Sequence, residues 1–359
     1  MKSNKFYGLR NKGLLKFWKK EPLPLLSAAL KEARVKVVDV GARGGAIKEL
    51  IRFAPFIHYV AVEPEQKARN QLNFEAPWQN VTTVPNALGL AEGKATLHVT
   101  KQPGMSSLLL PNPNVVERYP SADAFQVVDR QEVDLTALDK AADQFGFREA
   151  CFLKLDTQGT ELDILKSGHW MLKNFLIGIA VEVSFQEFYQ NQPLFSEVDE
   201  FLRDNGFRIF ELDRALSRRR NLSATLFSKR EIIWAHALYL KEPTEIINSS
   251  YIKRNCSTEG RHKNLDKDNP HANDCRTKLL QLLLLALAYE YIDFSQEIIR
   301  IMIQAEMVTA EFGEKLLFEV ESYARRRTFK VWLKLKKFPG KGKTFDIVHK
   351  DRKLRFRIK

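Results

Sequence analysis

The chain is predicted to be an α/β protein, a doubly wound and mostly parallel sheet with a smaller helical domain at its C-terminal end. Three observations predict it. A continuous apolar run, Val35 to Val40, ends in a glycine turn, Gly41 to Gly45. About 20 residues on, a second run, His58 to Val62, ends at Glu63-Pro64. Two further runs, Cys151 to Asp156 and Ile177 to Val183, each carry an acid at or near the carboxyl end and alternate with helical stretches. Strands buried on both faces read as such runs, and alternation with helices makes them parallel.

The first strand is rich in β-branched side chains: Val35, Val37, Val38 and Val40. Gly41, Gly44 and Gly45 then supply a turn in which bare backbone approaches a ligand closely. Glu63 stands where a carboxylate holds ribose hydroxyls, and Pro64 stops its strand. The order Asp39-x-Gly41-x-x-Gly44-Gly45 lacks the G-x-G of dinucleotide sites, which argues against NAD. Asp39, two residues before the first glycine, is placed to face a positively charged ligand.

The remaining elements follow in order. Leu25 to Ala33 reads as a helix leading into the first strand, Gln66 to Glu75 as a helix, and Val81 to Pro85 as the third strand. Lys94 to Thr100 alternates apolar and polar, as an added strand does, and Phe125 to Val133 alternates again. Between them, Gly104 to Pro113 reads as a loop centred on Ser106 and Ser107, either covering a site or only turning the chain. Leu135 to Gln144 is expected to be a helix opened by Asp134 or Thr136. Asp156 ends the fourth core strand, with Lys154 on its face, and Thr157 to Thr160 turns into another helix. There Glu161 favours the helix dipole.

Glu182, near the end of the fifth strand, converges with Asp156 on one edge. Two carboxylates there suit a general base and its orienter, or a shared divalent cation, or loop caps. His58 and His169 fall at the opposite edge, and His98 lies in the added hairpin. Phe195 to Asn205 is a helix ended by Gly206. Phe207 to Leu212 and Ile232 to Leu240 form an antiparallel pair, joined through the basic loop Arg218, Arg219 and Arg220. That loop meets either an anionic substrate or solvent.

Beyond Lys241, Lys253 to Lys278 is polar and turn-rich. Its Cys256, His262, His271 and Cys275 lack the close C-x-x-C pair of most zinc sites, and no metal is assigned. Leu279 to Arg325 holds two or three helices, with Phe312, Leu316, Leu317 and Val320 on one face. Phe329, Val331, Leu333 and Leu335 alternate with lysines, as do Leu354, Phe356 and Ile358 with lysines and arginines, so both stretches are expected to be strands. The boundaries are therefore 1–34 for a basic arm and lead-in helix, 35–240 for the α/β domain, 241–278 for a linker, and 279–359 for the helical region with its basic tail.

Several of these motifs together resemble the FkbM family of S-adenosylmethionine-dependent methyltransferases. They are the D-V-G-A-x-x-G turn, the E-P after the second strand, Asn86 to Gly89 (N-A-L-G), Gly104 to Leu108 (G-M-S-S-L), and Leu153 to Leu162 (L-K-L-D-T-Q-G-T-E-L). They keep the family's order from Val35 to Phe210, and the K-x-D-x-x-G-x-E run is the most specific. Arg43 stands where the family usually has Asn, and Lys48 where Ser or Thr is common. The resemblance implies a class I methyltransferase-like Rossmann fold and S-adenosyl-L-methionine as cofactor, with Asn86 near its adenine. It further implies methyl transfer to a sugar hydroxyl of a glycan, glycolipid or secondary metabolite. Asp39, Gly41, Arg43, Gly45, Glu63 and Asn86 are the expected cofactor-binding residues, and Asp156 or Glu182 the base. The rivals are an RNA methyltransferase and a cofactor-binding module without turnover.

Composition narrows the setting. At 359 residues, 44% hydrophobic, the chain can bury a sizeable core. Three cysteines, Cys151, Cys256 and Cys275, fit a reducing cytoplasm better than a disulfide framework. The basic start is not followed by an apolar h-region, and the longest apolar stretch, Leu279 to Ala288, is too short to cross a bilayer. Net charge is +13, divided unevenly: Met1 to Lys20 carries +7 and Arg325 to Lys359 carries +13, leaving −7 between them. Basic ends on an acidic middle point to an anionic membrane surface or glycan met by the termini, not to a nucleic-acid groove across the core, or else to simple solvation. In the first arm Leu9, Leu14, Leu15, Phe17 and Trp18 lie among the lysines, as in an interfacial helix or an arm docked on its own domain.

Overall fold

The computed structural model describes residues 24–72, 76–220, 228–248, 270–336, 344–349 and 352–357. The arm Met1 to Lys20 lies outside them, as do Cys256 and His262. In chain order the elements are α1 (Pro24–Glu32), β1 (Val35–Val40), β2 (Ile57–Val62), α2 (Gln66–Arg69), β3 (Asn80–Val84), β4 (Ala87–Gly89), β5 (Gly93–Thr100), α3 (Pro113–Val116) and β6 (Val127–Ala137). There follow α4 (Leu138–Gln144), β7 (Phe152–Leu155), α5 (Glu161–Ser167), α6 (His169–Asn174), β8 (Gly178–Ser184), α7 (Phe195–Asp204), β9 (Phe207–Ser217) and β10 (Glu231–Lys241). Three helices, α8 (Pro270–Ala288), α9 (Ile292–Gln304) and α10 (Ala310–Lys336), precede the hairpin β11 (Thr344–His349) and β12 (Arg352–Arg357).

Seven strands form the main sheet in the order β3-β2-β1-β7-β8-β10-β9. The first five are parallel, and β10 runs antiparallel to both β8 and β9. The doubly wound mixed sheet read from the apolar runs is thus the observed fold. Its winding reverses between β1 and β7, and at such a switch point a crevice opens at the carboxyl ends of the strands. β4, β5 and β6 form a second, three-stranded sheet inserted between β3 and β7.

Side-chain alternation sends β1 to two cores. Val38 and Val40 pack with α4, α5 and α6 on one face, through Leu138, Leu165 and Met171. Val35 and Val37 pack on the other face with α1, α8, α9 and α10. α8 is buried all round from Leu282 to Ala288, the signature of a helix inside a core. Its buried Gln281 is satisfied: Nε2 donates to the Ala33 carbonyl at 2.7 Å. The C-terminal helices thus share one apolar cluster with β1, β2 and β7. Arg52 ties them in, donating to the Ala288 carbonyl at 2.6 Å and to the Tyr323 hydroxyl.

Some expectations need correction. Phe329 to Leu335 lies inside α10 and is not a strand; no Gly or Pro interrupts residues 314–338, and good helix formers carry the helix through an alternating stretch. Leu135 and Thr136 belong to β6, because their backbone is held in ladders with β4 and β5, so the helix starts at Leu138. The helix after Glu63 is a single turn, Gln66–Arg69. α8 opens at Pro270, within the stretch expected to be a linker. Cys275 is buried on it, its Sγ 3.9 Å from the Ile246 carbonyl, and the described residues hold no cluster of three metal-binding side chains.

Candidate active site

β1 delivers Gly41 to the switch point, and two constraints demand glycine there. Its φ is +78°, and a Cβ would stand 2.1 Å from the Asp156 carbonyl oxygen. The Gly41 amide donates to the Val62 carbonyl at 3.0 Å, and the Asp156 amide to the Val40 carbonyl at 3.1 Å. The ends of β2, β1 and β7 are thereby laced together. A cleft of about 440 Å³ opens beside them, lined by Gly41, Arg43, Glu63, Leu88, Ser107 and Asp156 among others, within the ~300–1,000 Å³ of small-molecule sites.

Glu63 is almost fully buried on the wall of this cleft. Its Oε1 accepts from the Glu65 amide at 3.0 Å, while Oε2 lies 3.9 Å from Arg43 Nε. Burial raises its pKa, against the pull of Arg43 and Arg69. Arg69 donates to the Glu63 carbonyl at 2.9 Å and fixes the end of β2. Arg43 reaches across the mouth: its guanidinium pairs with Glu65 and donates to the Pro103 carbonyl at 2.7 Å.

Opposite stands the turn after β7. Asp156 is half-buried and lines the cleft. Gln158, at φ +60°, places its side-chain amide between two acids, Nε2 donating to Asp156 Oδ1 at 2.9 Å and to Glu182 Oε1 at 2.8 Å. The amide oxygen is 3.1 Å from the Tyr189 hydroxyl. Two N–H groups facing two carboxyls fix the orientation of the amide. Burial, then the Asp156 and Glu161 carboxylates, pushes Glu182 well above the usual carboxylate range. Glu161 is spent on the turn itself: it accepts from the Thr157 amide at 2.7 Å and the Gly159 amide at 2.9 Å. Ser107 Oγ donates to the Gln158 carbonyl at 2.8 Å and Ser106 Oγ accepts from the Thr100 amide at 3.2 Å, so both serines anchor the covering loop.

The expected residues therefore divide. Gly41, Arg43, Glu63 and Asp156 share the cleft wall. Glu182 sits behind Gln158, and Gly45 turns the chain at φ +87° with open space around it. Asn86 donates to Thr136 Oγ1 at 2.9 Å, off the wall. Asp39 is fully buried on the α8 face of β1, where it accepts from the Tyr59 hydroxyl and from Lys154 Nζ at 2.8 Å. Burial lowers the Lys154 pKa, but Asp39 and then Asp156 more than offset this and hold it above its ordinary value. Strand parity explains the placement: residues 35, 37 and 39 share the face opposite Val38 and Val40. Gln158 and Tyr189 were not singled out from the sequence. For Gln158 the available signal was an amide between Asp156 and Gly159; for Tyr189 there was none.

The sequence from residue 39 to 209 matches the profile of the methyltransferase FkbM domain. The matched stretch, a little under half of the chain, is similar to the methyltransferase FkbM domain. The domain covers β1 from Asp39, the second sheet, β7, β8 and the start of β9, hence every residue of the cleft. Solved structures similar over part of the chain include an FkbM methyltransferase from Methylobacillus flagellatus KT, at 14% identity and TM-score 0.32 over 58% of this chain and 44% of that one. A magnesium protoporphyrin IX methyltransferase from Synechocystis PCC 6803 with bound SAM aligns at 10% identity and TM-score 0.28, over 60% and 74%. A SAM-dependent methyltransferase from Anabaena variabilis ATCC 29413 aligns at 8% and 0.29, over 58% and 78%. The chain thus spans under half the length of the Methylobacillus protein. No curated protein matches it.

Proposed function

We propose that the protein transfers the methyl group of S-adenosyl-L-methionine to a sugar hydroxyl in a glycan, glycolipid or secondary metabolite. The observation that carries this reading is that the glycine turn, an acid for ribose and the Asp156 carboxylate share one cleft. The wall suits the cofactor: at Gly41 bare backbone lines the cleft, and Glu63, its Oε1 held by the Glu65 amide, has Oε2 left for a hydroxyl beside Arg43. Gly41, Arg43 and Glu63 hold it. Gly45 shapes the turn, while Asn86 and Asp39 support the wall from behind. When bound, the cofactor supplies an electrophilic methyl on sulfonium.

The chain's own residues orient the acceptor and receive its proton. Asp156 is the base, and Glu182, whose neutral form its surroundings favour, positions Asp156 through Gln158. Positioning supplies the larger part of the acceleration. Incubation with methyl-labelled cofactor and a panel of lipid-linked glycans should label a hydroxyl. Asp156→Asn should cut kcat by 10²-fold or more, in line with the ~10²–10⁴ of general-base catalysis, with S-adenosylhomocysteine affinity within a few-fold. Absence of S-adenosylhomocysteine binding to the wild type would end the reading.

We also infer a cytoplasmic enzyme whose basic ends rest on an anionic membrane surface. The support is the charge of +7 in Met1 to Lys20 and +13 in Arg325 to Lys359, interspersed with Trp and Phe. Among the described residues no helix is long and apolar enough to cross a membrane. Co-sedimentation with phosphatidylserine vesicles that vanishes at high salt is the expected result, and equal binding to neutral vesicles would refute it.

A further inference from the structure

The residues that follow β9 and those that precede β10 carry charge that methyl transfer leaves unused. Trp234 of β10 pairs with Ser184 at the end of β8, and Glu231 pairs with Ser217 at the end of β9. The end of β9 and the start of β10 therefore stand at the same carboxyl edge of the sheet as Gly41, Glu63 and Asp156. Arg218, Arg219 and Arg220 leave β9 there, and Lys229 and Arg230 lead into β10. The Arg220 amide donates to the Arg118 carbonyl at 2.9 Å, bringing an exposed arginine alongside. Against them, Glu231 lies 3.4 Å from Arg219 Nε and Glu117 precedes Arg118 in the chain. The cations outnumber them, in a part of the chain whose overall charge is negative.

Strand order gives this patch its meaning. Across the edge come Glu63 on β2, Gly41 on β1, Asp156 on β7, Glu182 on β8, and then the arginines at β10 and β9. The cofactor residues and the patch thus flank the base on opposite sides, with roughly 10–15 Å from β7 to the patch at the usual strand spacing. A packed wall joins them. Tyr119, next to Arg118, has its ring 5.4 Å from Phe188, which stacks on Phe125 at 5.6 Å. Phe125 in turn lies 5.7 Å from Tyr189, whose hydroxyl meets Gln158.

We propose that the acceptor carries a phosphate or diphosphate, held by Arg118, Arg218, Arg219 and Arg220 while its reacting hydroxyl lies at Asp156. This rests on the methyl-transfer reading and adds the chemical class of the acceptor. Guanidinium forks match phosphate oxygens in geometry and charge. A phosphate on a sugar one or two rings from the reacting hydroxyl spans the distance.

The test titrates inorganic pyrophosphate into the full chain, followed by phosphorus NMR line width, with S-adenosylhomocysteine affinity measured in parallel. Arg218→Gln/Arg219→Gln/Arg220→Gln should weaken pyrophosphate tenfold or more, and Arg118→Gln alone about threefold, with S-adenosylhomocysteine affinity unchanged. Lys31→Gln/Lys166→Gln/Lys173→Gln, which removes the same charge from exposed lysines at the opposite edge, should leave pyrophosphate unchanged. Equal loss in both triple variants, no loss in either, or displacement of pyrophosphate by S-adenosylhomocysteine would overturn the proposal. An RNA oligonucleotide that outcompetes pyrophosphate more than tenfold at equal phosphate would do so too, assigning the patch to nucleic acid. Lack of S-adenosylhomocysteine binding in the wild type, with pyrophosphate still bound at the hairpin, would instead end the methyl-transfer reading and the acceptor role with it.

Discussion

Replacing Gly41 by alanine tests the architecture of the cleft most directly. The added Cβ would stand 2.1 Å from the Asp156 carbonyl oxygen, where ordinary contact begins at 3.4 Å. The neighbour is backbone, so the end of β7 must retreat by more than an ångström. That movement breaks the hydrogen bond from the Asp156 amide to the Val40 carbonyl and strains that from the Gly41 amide to the Val62 carbonyl, each worth about 1 kcal/mol. Alanine at φ +78° adds about 1–2 kcal/mol. The expected loss is about 3–4 kcal/mol by urea unfolding, with loss of S-adenosylhomocysteine binding. Gly45→Ala is the comparison: its φ is also positive, but nothing lies within 4 Å of the added methyl, so only backbone strain of about 1–3 kcal/mol applies. Amide exchange separates the two, since protection of Asp156 should collapse in the first variant and persist in the second. A Gly41→Ala protein within 1 kcal/mol of wild type, with Asp156 still protected, would refute the packing argument.

Three further outcomes are expected. Asp39→Asn leaves Lys154 with Asp156 at 3.7 Å as its nearest acid, and should cost about 3 kcal/mol in urea unfolding, in the range for breaking a buried pair; a loss below 1 kcal/mol would contradict the pairing. Glu63→Gln should weaken S-adenosylhomocysteine about tenfold, the equivalent of one charged hydrogen bond. Because burial raises the Glu63 pKa above 4.5, wild-type affinity should fall on acidification before ordinary carboxylates titrate, whereas the variant's should not, as calorimetry against pH will show. Glu182 binds its proton more tightly folded than unfolded, so its contribution to stability is present at low pH and lost as pH rises from about 4.5 through the raised value. Glu182→Gln should therefore gain on wild type as pH rises in urea midpoints, and a difference that does not change with pH would sink that assignment.

Much of this protein is local and could be read along the chain. Buried parallel strands announce themselves as apolar runs, and a turn whose backbone takes positive φ and is closely approached selects glycine, so β1, β2, β7 and β8 and the ends that carry Gly41, Glu63 and Asp156 were legible from residue order. What escaped the sequence depends on which face a side chain takes and on what distant segments bring to it. Strand parity turns Asp39 into the core toward Lys154 and not toward the cleft. Gln158 acquires its place between two acids only because β7 and β8 are neighbours, and Arg43 acquires Glu65 and the Pro103 carbonyl only because the glycine turn faces the covering loop. Residues 329–335 alternate like a strand, yet the helix begun at Ala310 runs through them. Apolar patterning determines which elements form and which residues must be buried; the pairing of elements far apart in the chain decides which charges meet, because that choice minimises unpaired charge and exposed apolar surface over the whole molecule at once.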